Sequence, residues 1–170
     1  MKLHFSSLFA SCLVLALTCY ACADAPEYPV EPVITYEGVS STEIFQSTSG
    51  IRDSITIFFS FTDGDGDLTG VDTNEVDIIV SDSRVESLST GFTFPDIDRD
   101  GTGNGISGDA SIVLDNIAFS FCCLDLDSEE ICMEFPDFPE DEVIYTIQVR
   151  DRAGNFSNII QTEPITVLCR

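Results

Sequence analysis

The chain of 170 residues has no Trp, one His and one Lys, and its 7 Lys and Arg stand against 30 Asp and Glu, a formal net charge of −23. The single Lys is Lys2 and the single His is His4, so everything beyond the first four residues lacks both an imidazole and an amine side chain. A Ser-His-Asp or Cys-His catalytic set needs an imidazole, and a Schiff-base or P-loop lysine needs an amine, so these chemistries are excluded from the body of the chain. Imidazole-ligated zinc or iron goes with them. Phosphate backbones need clustered cations, so nucleic acid is not expected as a partner. What is left is carboxylate chemistry: hard-cation binding, carboxylate acid/base work, or none.

No apolar run is long enough to span a bilayer. The longest, Leu8 to Leu17 (LFASCLVLAL), follows Lys2 and His4 and has the length of an export signal's core. The segment after it, T-C-Y-A-C-A-D, allows more than one processing outcome. Ala21-Cys22 ends a degenerate lipobox, which makes residues 1–21 a lipoprotein signal and Cys22 the lipidated N-terminus; Cys19 occupies the place where a good lipobox has Leu. Cys19 as the acceptor, or cleavage after Ala23, are the alternatives. Residues 22–32 (CADAPEYPVEP) are acidic and Pro-rich and read as a tether, and residues 33–170 as one domain.

No long stretch repeats apolar residues at the helical period. Short β-rich runs recur between Gly, Asp, Asn, Ser and Pro instead. Strands are expected at 32–36, 54–61, 76–80, 110–114, 117–121 and 143–149 and in a closing run, 159–160 and 165–168, split by Pro164, with 91–94 as a short edge piece. In SITIFFSF, Ile55, Ile57, Phe59 and Phe61 share one face; in VIYTIQV, Val143, Tyr145, Ile147 and Val149 do. This pattern predicts an all-β, antiparallel β-sandwich of seven to eight strands. Four cysteines fall within it, Cys122, Cys123, Cys132 and Cys169, an even number that suggests disulfides in an exported chain. Adjacent residues of a strand point to opposite faces, so Cys122 and Cys123 should have different partners. Pairing Cys123 with Cys132 would leave Cys122 for Cys169.

Two acidic clusters have cation-binding spacing. In Thr62-Asp63-Gly64-Asp65-Gly66-Asp67, three carboxylates alternate with glycines directly after a strand, so the backbone can fold round and converge their oxygens. Calcium takes 6–8 oxygen ligands at roughly 2.3–2.6 Å and tolerates irregular geometry. In Asp96-Ile97-Asp98-Arg99-Asp100-Gly101-Thr102-Gly103-Asn104, Asp96, Asp98, Asp100 and Asn104 fall where a calcium loop supplies oxygens, without flanking helices and with Ser107 where the terminal Glu would be. A third acidic stretch, Asp125 to Glu142, has no such spacing and reads as a solvated loop. A solvated turn is the plain alternative for each cluster.

Ser54 to Leu68 (SITIFFSFTDGDGDL), Val149 to Asn158 (VRDRAGNFSN) and the Cys-plus-Pro-rich start together resemble exported lipoproteins of Bacteroidota that carry an immunoglobulin-like or cadherin-like β-sandwich. The resemblance implies that Asp151, with Asn155, joins Asp63, Asp65 and Asp67 around calcium at one pole of the sandwich. The D-x-N-D-N linker of tandem cadherin modules is absent, so no interdomain site is expected.

The expectation is a monomeric, non-enzymatic lipoprotein of the bacterial outer membrane, anchored through Cys22 and facing either the surface or the periplasm. Calcium would be structural, and the role binding, adhesion or membership of a larger complex, with a protein or carbohydrate ligand. A freely secreted or periplasmic metal-free binding module is the alternative. A carboxylate-based glycoside hydrolase is the further one, opposed by the lack of Trp and the small number of Tyr for a sugar cleft.

Overall fold

The computed structural model describes residues 27–46, 53–68, 76–85, 89–95, 105–115, 123–125, 130–131 and 139–169. The leader, Cys22, the 96–104 loop, the 117–121 strand, Cys122 and Cys132 lie outside them. Among the described residues every regular element is a strand, and the fold is the all-β sandwich that the alternating runs predict.

The first layer is a sheet of β1 (Val33–Val39), β3 (Ser54–Asp63) and β6 (Ile106–Asp115), with β3 in the middle. β3 alternates as expected: Ile55, Ile57, Phe59 and Phe61 are buried, while Ser54 and Phe58 are exposed. The parity continues one step further, so that Asp63 also points inward. β6 is longer than its apolar part, because it pairs with β3 from Asp63↔Ile106 to Ser54↔Asp115 and draws the end of the Gly-rich run into the sheet.

The facing layer is ordered β11 (Ile160–Gln161), β10 (Tyr145–Val149), β4 (Ile78–Asp82), β5 (Ser89–Phe92). Its Ile78, Val80, Ile147 and Val149 meet Ile57, Phe59 and Phe61 in one core. Phe94 closes that core edge-on to Phe59 and Phe61, at ring-centroid distances of 6.5 and 5.4 Å. Along β1, the Asn158 side chain receives the Ile34 N–H and donates to the Ile34 carbonyl, and so takes the place of a pairing strand.

Three expectations differ from the structure. The run 143–149 is not one strand. β9 (Glu140–Val143) pairs with β12 (Ile165–Leu168), β10 pairs with β4, and the chain changes sheet at Ile144, whose N–H and carbonyl both bond Ser83. The sandwich is also not wholly antiparallel: β2 (Glu43–Phe45) runs parallel to β12. With β7 (Leu124–Asp125) and β8 (Glu130–Ile131) the described strands number twelve rather than seven to eight. β2, β7 and β8, which have no counterpart among the expected runs, span two or three residues, too short to show a period.

The cysteine pairing also differs. Cys123 bonds Cys169, not Cys132, across a Cα–Cα distance of 5.7 Å. Both are buried, and each is held by a backbone contact: the Cys123 N–H on Gln46 Oε1 and the Cys169 N–H on the Pro139 carbonyl.

Candidate metal centre

β3 delivers Asp63 into the interior at its last residue, and the glycines that follow turn the chain back on itself. Gly66 has a φ of 70°, a conformation that side chains bearing a Cβ rarely adopt. The turn closes on the Asp63 carboxylate, whose Oδ2 accepts the N–H groups of Asp67 at 2.8 Å and Leu68 at 3.3 Å. Asp65 and Asp67 are thereby folded against Asp63. One carboxylate oxygen from each of the three lies within 4.8 Å of the others.

The second turn predicted to join them, Asp151 to Asn155, is docked on Asp67. Its Ala153 N–H donates to Asp67 Oδ2 at 3.1 Å, and its Arg152 N–H to the Asp67 carbonyl at 3.3 Å. Asp151 is buried, and its carboxylate accepts the Asn155 N–H on one oxygen and the Asn155 side-chain amide on the other. Asn155 thus orients Asp151. The three cluster residues, Asp151 and Asn155 meet at one pole, whereas Asp96, Asp98, Asp100 and Asn104 lie outside the described residues.

The electrostatics of this pole are unusual for the molecule. Elsewhere among the described residues the buried carboxylates, and the half-buried Asp141, are answered. Asp82 faces Arg84 at 2.7 Å, Asp141 faces the same guanidinium at 2.6 Å, and Asp77 accepts the Phe94 N–H. In the cluster, Asp63 Oδ1, Asp65 Oδ1 and Asp67 Oδ1 are all shielded from solvent and accept no hydrogen bond. Three unanswered acceptors in one place are costly to bury. Burial, with the Asp65 and Asp67 charges, pushes the Asp63 carboxyl up to about 6 despite the two N–H groups it accepts. Burial, Asp151 and Asp65 raise Asp67 as well.

A pH dependence follows. Asp63 moves from an ordinary 3.8 to about 6 on folding. Its contribution to stability is therefore fully present below pH 3.8 and lost as pH rises through about 6. In EDTA the domain is expected to lose stability between pH 4 and 6, on the order of 2–3 kcal/mol. Urea unfolding at pH 4 and 6, compared with Asp63→Asn, checks this. A wild-type stability that rises over the interval relative to the variant contradicts it.

A second feature is a cleft of about 680 Å³ on the open side between β5 and β6. Phe61, Ile78, Phe92, Phe94 and Ile112 are among the residues lining it, and among the described residues Asp109 is the one charged side chain there. Sequence reasoning had no access to this cleft, because it forms between strands distant in sequence.

Comparison with family models, with curated proteins and with solved structures gives no match to the chain. The reading of its function rests on the residues themselves.

Proposed function

We propose that the chain is an exported, lipid-anchored, non-enzymatic binding module: an Ig-like β-sandwich with one pole held together by a calcium ion. One observation carries the ion: the carboxylates of Asp63, Asp65 and Asp67 converge to within 4.8 Å, and each has an oxygen that is shielded from solvent and accepts no hydrogen bond. Their like charges disfavour that arrangement unless a cation answers them. Calcium suits the site better than magnesium. Magnesium sheds its water reluctantly, and these oxygens are shielded from water; calcium accepts irregular, all-protein oxygen sets. Asp151, held beside Asp67, adds a further negative charge to the pole.

The same shielding favours a structural ion over a catalytic pair. A glycosidase needs two carboxylates facing a sugar cleft across roughly 5–9.5 Å, whereas one oxygen from each of these three lies within 4.8 Å of the others. The cleft between β5 and β6 suits the binding part of the reading, since its aromatic floor fits an apolar side chain of a protein partner. The anchor rests on the sequence, with Cys22 six positions before Tyr28, the first half-buried residue described.

Titration calorimetry of the EDTA-stripped protein tests the ion: calcium is expected to bind with one-to-one stoichiometry at this pole and magnesium at least tenfold more weakly. Absence of calcium binding at millimolar concentration sinks the ion. The mass of the natural N-terminal peptide tests the anchor, with an acylated Cys22 expected and a free Asp24 contradicting it.

A further inference from the structure

The residues expected to form a loose tether do not all leave the domain. The Pro29 carbonyl accepts the Gly64 N–H at 2.7 Å, in the middle of the acidic turn. The chain passes so close that a Cβ on Gly64 would stand 2.4 Å from the carbonyl oxygens of both Tyr28 and Pro29, which no packing adjustment of a side chain can relieve. The Tyr28 ring lies over Gly105, where a Cβ would meet it at 3.1 Å, and its hydroxyl donates to Ser107 Oγ at 3.3 Å. Pro32, just before β1, is buried. The Asp63–Asp67 turn and the start of β6 therefore form a seat for the segment that enters the domain.

We infer that this seat, built on Gly64, Gly105 and Ser107, binds the chain's own Tyr28–Pro29 segment as a strap, and that the strap and the ion at Asp63, Asp65 and Asp67 are coupled. The inference rests on the calcium reading of that cluster. Gly64 lies between Asp63 and Asp65, so the backbone N–H that holds the strap is positioned by the same turn that gathers the carboxylates. With the ion bound, the turn is drawn together and Gly64 presents its N–H to Pro29. Without it, repulsion among the three carboxylates loosens the turn and the strap loses its central contact. Linkage requires the converse: a docked strap must raise the affinity for the ion by the same factor. Calcium would thus set how much of the chain between anchor and domain is free.

Amide exchange of Gly64, followed by NMR in the full chain, reads the strap directly, because its N–H is the one held by Pro29. Protection at Gly64 is expected to fall at least tenfold from calcium to EDTA. Equal protection in the two conditions, with calcium binding intact by calorimetry, overturns the coupling and leaves the ion standing. Loss of calcium binding altogether overturns both. Tyr28→Ala, which leaves the turn's own residues untouched, is expected to weaken calcium affinity several-fold, and Gly64→Ala to weaken it more. Unchanged affinity in Tyr28→Ala overturns the inference even if Gly64→Ala fails to fold.

Discussion

In calcium the domain is expected to unfold roughly 8 °C higher than in EDTA, and Asp65→Asn is expected to abolish that difference. A ligand that binds only the native state, at a hundredfold excess over its dissociation constant, adds about 2.7 kcal/mol, and for a domain of this size each kcal/mol is worth a few degrees. Asp65 is the residue to change. Asp63 also holds the Asp67 and Leu68 N–H groups, and Asp67 holds Ala153, so replacing either would disturb the backbone as well as the charge. Asp65 contributes an unanswered, shielded oxygen to the cluster. Its amide isostere keeps the shape and removes one negative charge from a crowded set. The sign of the effect should therefore reverse with the ion: less stable than wild type in calcium, and equally or more stable in EDTA, by on the order of 1 kcal/mol. A purely structural Asp65 in a solvated turn would show the same small loss in both conditions. A full calcium shift in Asp65→Asn would place the ion elsewhere.

The legibility of this site in the sequence has a physical basis. Alternation along Ile55, Ile57, Phe59 and Phe61 identifies the buried face of β3, and the same parity carries Asp63 inward. Spacing alone brings the next two carboxylates back to it, because glycines permit the turn. The docking of the Asp151 turn is implied by the D-R-A-G-N resemblance, and its contacts are backbone N–H groups on Asp67. The strap left no trace in the sequence for the same reason in reverse. Its holding bond joins two backbone groups, Gly64 and Pro29, and a Pro-rich acidic stretch looks like a tether whether it is docked or not. The break at Ile144 was invisible because Val143 and Tyr145 keep their inward parity while their strands join different sheets. β2 was invisible because three residues show no period and its partner, β12, is more than a hundred residues away. Cysteine parity along a strand cannot choose whether Cys122 or Cys123 faces Cys169. That depends on which face of the chain at Cys123 meets the end of β12.

Cys123→Ser is expected to cost about 4 kcal/mol, more than Cys122→Ser costs. The Cys123–Cys169 bridge closes a stretch of 46 residues, and for a loop of that length the entropy withdrawn from the unfolded chain amounts to about 4 kcal/mol. Both cysteines are buried. The alternative connectivity, Cys122 to Cys169, predicts the opposite ranking, and urea unfolding of the two variants decides between them. The position of the bridge adds a second expectation. Leu168, the residue before Cys169, pairs with Phe45, and the Phe45 N–H is held by Asp53, the residue that opens onto β3. The bridge thus belongs to the Ser54 end of β3, while the carboxylate cluster begins at its other end, Asp63. Devices at opposite ends of a ten-residue strand share no partner, so their effects should add. The calcium shift of Cys123→Ser should equal that of the wild type within about 0.5 kcal/mol, with both curves displaced by the cost of the missing bridge. If instead reduction of the disulfide removes the calcium response, the two ends are not independent. The sandwich would then be too loosely packed without its bridge to hold three carboxylates in place.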